Sequence, residues 1–296
     1  MGDITTVYKQ KFSDLMYAQI QQTETRLKGY TEIIRLEGEK QSYDGIGMVE
    51  MEELSARYNK VEFTEMEYLR RKITSKRYGI TLPIDEYDVK KMDTDPDTKL
   101  TRAVVNAMNR QFDRVIAEAA FADVYTGETY STTLTFAQDN GVTVDAISGL
   151  TYEKLLEVKQ NFIDSEVAQE KNDRIALVIS GAEHTALMKE TQLTSGDYSR
   201  EFVIDRGEIT RALGMDIVLF GAGSTIKRPV LNVASSVRDC IVLSSNSIIL
   251  GISMDVNVEV ENRSDYYNTK QVKITGAFGA VRKDGLLIQK LQTPEA

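Results

Sequence analysis

Chemistry would need histidine, cysteine or clustered carboxylates, and this chain of 296 residues offers one histidine, His184, and one cysteine, Cys240. A single imidazole excludes every metal or catalytic scheme built on two. A single thiol excludes an internal disulfide and any cysteine-based zinc cluster. His184 has no serine or cysteine nucleophile placed beside it and reads as a helix-surface or packed residue. Cys240, in Cys240-Ile-Val-Leu, reads as a small core residue of a strand. Asp93, Asp95 and Asp97 mimic the opening of a calcium loop, but Thr98 stands where glycine is needed and Val104 where glutamate is needed. The triplet therefore reads as the acidic start of a helix. Gly221-Ala-Gly-Ser-Thr lacks the Lys-Ser/Thr of a phosphate loop, and Ile226 replaces the third glycine of a dinucleotide fingerprint, so it reads as a turn. Asn262-Arg-Ser fits a glycosylation pattern but has no signal peptide to give it meaning. No catalytic, cofactor-binding or metal-binding residue is assigned, and an enzyme is not expected.

The whole-chain numbers agree. A hydrophobic fraction of 42% and a charged fraction of 27% are those of a globular protein. Lys+Arg is 36 and Asp+Glu is 45, a net charge of -9, which argues against a basic coat gripping a duplex. Apolar runs such as Ile248-Ile-Leu fall far short of the roughly 20 residues a bilayer demands, so no membrane partner is expected. The N-terminus has no signal-peptide character, which predicts a cytoplasmic product.

The elements that must position these residues follow from periodicity. Phe12, Met16, Ile20 and Leu27 form an apolar helical stripe with nothing behind it in residues 1–45, so this arm must pack elsewhere, on its own subunit or on a neighbour. Residues 70–77, Arg-Arg-Lys-Ile-Thr-Ser-Lys-Arg, and 85–88, Asp-Glu-Tyr-Asp, make a charged excursion around an extended Tyr78–Pro83. It reads either as a solvated hairpin or as basic (Arg70, Arg71, Lys72, Lys76, Arg77) and acidic (Asp85, Glu86, Asp88) blocks meeting another copy of the chain. From Asp95, Leu100, Val104, Met108, Phe112, Val115, Ile116 and Ala119 keep helical spacing up to a stop at Gly127. Residues 130–147 read as a hairpin about Asp139-Asn-Gly. Thr151 opens a helix carrying Leu155, Leu156, Phe162 and Ile163. Ile175-Ala-Leu-Val-Ile reads as a buried strand, and Ser180 with Glu183 as a capping box opening the helix of His184. Strict alternation over Leu250–Glu261 and over Val272–Ala280 predicts two long strands, and Asp284-Gly285 a turn back into Leu286-Leu-Ile. The fold class is α+β, a long helix along a long antiparallel sheet, with an α/β subdomain between.

This order resembles the major capsid proteins of tailed bacteriophages with the HK97-like fold. Gln21-Gln22 is similar to that family's arm, Arg70-Arg71 with Ile84-Asp-Glu-Tyr-Asp88 to its extended loop, and Phe112-Asp-Arg-Val-Ile-Ala-Glu-Ala to its spine helix. Ile175–Leu187 resembles its axial subdomain, Gly207–Val218 the segment leading to a following strand, and Gly276–Ile288 its closing strands. The resemblance implies an arm over 1–48, an extended loop over 49–92, a peripheral domain with the spine helix over 93–147, an axial domain over 148–249, and return strands over 250–296. It implies hexamers and pentamers of identical copies around packaged double-stranded DNA, with a scaffolding protein and a portal as partners, and no cofactor. It places the protein in the virion, assembled in the bacterial cytoplasm. Two rivals are an encapsulin-like compartment shell and a soluble α/β enzyme.

Overall fold

A computed structural model describes residues 24–47, 51, 68–84, 96–167, 173–190, 209–221, 231–234, 236–266 and 269–295. In chain order the strands are β1 Thr31–Arg35, β2 Lys40–Ile46, β3 Tyr68–Thr74, β4 Lys76–Ile84, β5 Val124–Thr126, β6 Thr132–Leu134, β7 Val142–Asp145, β8 Ile175–Ser180, β9 Arg211–Ala212, β10 Met215–Phe220, β11 Val233–Ala234, β12 Val237–Ser244, β13 Ile248–Arg263, β14 Thr269–Arg282 and β15 Ile288–Pro294. The helices are α1 Pro96–Phe121, α2 Tyr152–Asp164 and α3 Gly181–Met188.

The helical stripe read from the sequence is the buried face of α1: Val104, Met108, Phe112, Val115, Ile116 and Ala119 all lie in the core. They pack on β14, where Phe112 stacks on Phe278 with ring centroids 4.0 Å apart. At 1.5 Å per residue the 26 residues of α1 span about 39 Å. At roughly 3.3 Å per residue the 16 residues of β13 span about 53 Å, so the helix lies along a strand longer than itself. The long sheet runs β1-β13-β14-β4. Register shifts in the β13–β14 ladder at Ile252/Met254 and Met254/Asn257 bend it part-way along.

The second sheet runs β7-β15-β12-β8-β10-β9, with β11 added to β12. Its central strand β8 is buried along its whole length, as the continuous Ile175-Ala-Leu-Val-Ile run requires. The Ser180–Glu183 capping box is present, with the serine hydroxyl accepting from Ala182 N–H and Glu183 accepting from Ser180 N–H at 2.9 Å. Helix α2 buries Leu155, Val158 and Phe162, whereas Leu156 and Ile163, read as part of its core face, point outward at 44% and 51% exposure. The sheet extends beyond 148–249 at both ends, through β7 and β15.

A third, small sheet runs β2-β3-β5-β6. Its inner face, with Ile73 and Val124, closes on Leu36, Ile249 and Val281 in a separate apolar cluster. Three expectations change here. Asp139-Asn-Gly does not close a hairpin: β6 pairs with β5 and β7 pairs in parallel with β15, so the chain passes between sheets at this point. Asp284-Gly285 likewise carries the chain from β14 into the second sheet, where β15 pairs with β12. The C-terminal half of the expected arm is body: β1 pairs in parallel with β13, and β2 pairs with β3.

The small sheet and the long sheet meet where β3 turns into β4. Ser75 N–H donates to the Glu39 carbonyl at 2.8 Å. Strand β14 passes beneath this turn at Gly279, where a Cβ would lie 2.0 Å from the Thr74 carbonyl oxygen. Only glycine permits that approach.

Candidate assembly surface

Strand β3 carries the basic block, and a strand sends alternate side chains to opposite faces. Leu69, Arg71 and Ile73 therefore share one face and Tyr68, Arg70 and Lys72 the other. The inner face takes Arg71, which is 4% exposed. Its guanidinium donates to both oxygens of Asp139, at 2.6 and 2.9 Å, and to the Arg282 carbonyl at 3.2 Å. Arg282, fully buried, donates to the same carboxylate at 2.7 Å through Nε and to the carbonyls of Ala120 and Ala122 at 3.0 Å through Nη1. Those carbonyls close the C-terminal end of α1, where the helix dipole is negative and offsets the second positive charge. Burial alone would raise the Asp139 carboxyl, but hydrogen bonds from Arg71 and Arg282 and their charges outweigh it and hold the group below the usual carboxylate range. Arg71, expected at a subunit interface, is thus an internal anchor tying β3 to α1, β14 and the 135–141 loop. The loop reaches it through Asn140 at φ 57° and against Gly285, where a Cβ would lie 1.8 Å from the Asp139 carbonyl oxygen.

The outer face is different in kind. Ile46 and Tyr68, paired in register across β2 and β3, are 68% and 66% exposed, and Tyr125 on β5 is 51% exposed. Lys72 lies over the rings of Tyr125 and Tyr130 at 5.7 and 5.5 Å. Arg70 pairs with Asp44 at 2.7 Å, and that hydrogen bond draws the Asp44 carboxyl below its ordinary value. Lys76 and Arg77 are exposed at the start of β4, which is an edge of the long sheet. The result is an apolar and aromatic face set beside Arg70 and Lys72. Tyrosine and arginine are the residue types enriched at protein–protein contacts.

The other expected interface residues divide. Leu27 is fully buried in the chain's own core, beside α1, because its backbone is held there; the reading of it as part of an unpartnered stripe is corrected. Phe12, Met16, Ile20, Asp85, Glu86 and Asp88 lie outside the described residues. His184 accepts the Ile209 N–H at 3.1 Å through Nε2, a structural use of the lone imidazole. Cys240 is buried, and burial pushes its thiol up to about 12. The ionic roles of Asp139 and Arg282 carry no local signal in the sequence, whereas the alternation of Leu69, Arg71 and Ile73 is the pattern that puts one arginine on an apolar face.

A long helix along a bent sheet, a second mixed sheet and a small sheet presenting a basic aromatic face together define an α+β architecture. The sequence profile of the family described as phage capsid protein matches residues 4–289, and the chain belongs to that family. No curated protein matches the sequence. Among solved structures it is similar to the capsid of cyanophage P-SCSP1u, with a TM-score of 0.69 and 12% identity over 97% of this chain and 94% of that one. It is similar to a structure from Mycobacterium phage Che8, with a TM-score of 0.68 and 14% identity over 95% of each chain. It is also similar to the head of Helicobacter pylori bacteriophage KHP40, with a TM-score of 0.68 and 8% identity over 96% and 95%. At these identities the likeness establishes the HK97-like α+β fold, and the family match establishes a structural protein of the viral capsid.

Proposed function

We propose that copies of this chain form the icosahedral shell that encloses a tailed phage's double-stranded DNA, as hexamers and pentamers built with a scaffolding protein and a portal. In this reading the small sheet's outer face, with Arg70 and Lys72, meets a neighbouring copy, together with Lys76 and Arg77 at the start of β4, Phe12, Met16 and Ile20 of the arm and Asp85, Glu86 and Asp88 of the loop. The long sheet with α1 is the peripheral domain and the seven-stranded sheet the axial domain. Assembly takes place in the bacterial cytoplasm. The observation that carries the reading is the outer face itself: Ile46, Tyr68 and Tyr125 are more than half exposed beside Arg70 and Lys72, on a sheet whose inner side carries the buried Arg71, Ile73 and Val124. Such contacts are weak singly and sum over a closed lattice. A net charge of -9 suits a container that must not grip the DNA it receives. The phage family match favours this over a protein-compartment shell.

The test is expression with and without the scaffold, read by sedimentation and electron microscopy. Closed particles are expected. A strictly monomeric product under both conditions would sink the reading.

A further inference from the structure

Asp113 sits in the middle of α1 and is fully buried. Aspartate is a poor residue for a helix interior, and a buried carboxylate is costly unless hydrogen bonds satisfy it. Two of its donors come from far along the chain. Arg26 N–H lies 3.1 and 2.9 Å from the two carboxylate oxygens, and Leu27 N–H lies 3.1 Å from Oδ1. Both are backbone groups, so the carboxylate holds a stretch of chain in place whatever side chains it carries. Beside it the Leu27 side chain fills the core, and the Lys28 ammonium stands 5.1 Å over the Phe112 ring.

The same five residues also reach the other way, to the seven-stranded sheet. The Arg26 guanidinium donates to the Leu219 carbonyl and lies 5.7 Å over the Phe220 ring, at the end of β10. The Tyr30 hydroxyl is 3.1 Å from Asp216 on β10, and Arg174 donates to both, at 3.1 Å to the hydroxyl and 2.8 Å to the carboxylate. The Tyr30 carbonyl accepts from Asn246 N–H at 3.0 Å. Residues 26–30 therefore form a strap, fastened to α1 at one side and to the second sheet at the other.

We infer that Asp113 is a positioning residue for assembly: by clamping the backbone of Arg26 and Leu27 it fixes where the N-terminal segment joins the body and keeps the 26–30 strap holding the seven-stranded sheet against α1. The inference rests on the shell reading for its consequence. In a shell whose curvature depends on the angle between the two sheets, a loosened strap broadens the range of particle sizes.

Hydrogen exchange of unassembled subunits, followed by electron microscopy of assembled ones, tests it. In Asp113→Ala, amides of residues 24–30 are expected to exchange at least ten-fold faster, with β8 and β12 still protected, and particles are expected to vary in diameter or fail to close. Asp113→Asn keeps the side chain's volume and one acceptor oxygen and is expected to fall between wild type and alanine. Arg26→Ala, which leaves the backbone clamp and cuts only the link to β10, is expected to broaden particle size without speeding exchange at Leu27. Unchanged exchange at 24–30 in Asp113→Ala would overturn the clamp. A loosened strap with uniform, wild-type particles would overturn its part in assembly. Loss of protection throughout the molecule in both Asp113 variants would make the residue a general core contact and the inference wrong. If the wild-type chain itself forms no particles, the shell reading fails instead, and the exchange data still decide the clamp.

Discussion

Arg71 and Arg70 are adjacent, equally charged and opposite in consequence. Removing one member of a buried ionic cluster leaves charge uncompensated and costs about 3–5 kcal/mol, whereas an exposed pair such as Arg70–Asp44 contributes about 0–1 kcal/mol. Denaturant unfolding of the unassembled subunit should therefore show Arg71→Ala losing about 3 kcal/mol or more and Arg70→Ala less than about 1 kcal/mol. Equal losses would contradict the cluster. The cluster also has an acid signature. The Asp139 carboxyl titrates lower in the folded chain than in the unfolded one. Its contribution is then complete above the unfolded value, near pH 4, and disappears as pH falls through the lower folded value. Asp139→Asn should be less stable than wild type at pH 7, and the gap should narrow as pH drops below about 4. A gap constant from pH 7 to pH 2.5 would show that the carboxylate's charge is immaterial. Cys240, with its thiol pushed up to about 12, should not react with a thiol reagent at pH 8 until the chain is unfolded, when one thiol per chain should appear.

At the scale of elements, strand parity turns the basic block into a sharper experiment. Arg70→Glu with Lys72→Glu changes only the outer face, so the melting temperature of the unassembled subunit should stay within a few degrees while particles fail to form. Normal particles from this double variant would remove the small sheet's outer face from the assembly contacts. The elements themselves were largely legible. The α1 stripe, the β8 run, the Ser180–Glu183 box and the alternation of β13 and β14 are local patterns, and each fixes its own element without reference to the rest of the chain. What could not be read was which partner each element takes. Asp139-Asn-Gly and Asp284-Gly285 carry ordinary turn chemistry, but whether a turn joins two paired strands or passes between sheets depends on contacts distant in sequence, here Arg71 and Arg282 on Asp139, 68 and 143 residues away. Leu156 and Ile163 are apolar at helical spacing, yet the helix buries the neighbouring Leu155–Val158–Phe162 row, since a stripe too wide for one face must leave a side exposed. Arg71 belongs to a charged run by composition, but its parity places it with Leu69 and Ile73.

For the whole molecule the question is where the body begins. The stripe of Phe12, Met16, Ile20 and Leu27 suggested one continuous arm, but Leu27 belongs to the core, and β1 and β2 are strands of two different sheets. Leu27 and the two strands therefore belong to the body. Two truncations test where it begins. If Phe12, Met16 and Ile20 pack on a neighbouring copy, deleting residues 1–23 should leave the unassembled subunit melting within a few degrees of the full-length chain. The same deletion should abolish regular particles, because Phe12, Met16 and Ile20 would no longer supply their burial, roughly 1.5–3 kcal/mol for each side chain, to the assembled state. Deleting residues 1–30 goes further: it leaves Asp113 without its backbone donors from Arg26 and Leu27, empties the Leu27 site and cuts the link from Tyr30 to Asp216. Loss of the Leu27 and Tyr30 side chains alone removes about 3–5 kcal/mol of burial. At about 2–4 °C per kcal/mol for a domain of this size, the melting temperature should fall by about ten degrees or more. Thermal melts of the three unassembled subunits, run side by side, decide the matter: a ten-degree drop already present in the shorter truncation would show that the stripe ahead of Arg26 packs on its own subunit, and no drop in the longer one would show that the strap contributes nothing to the fold.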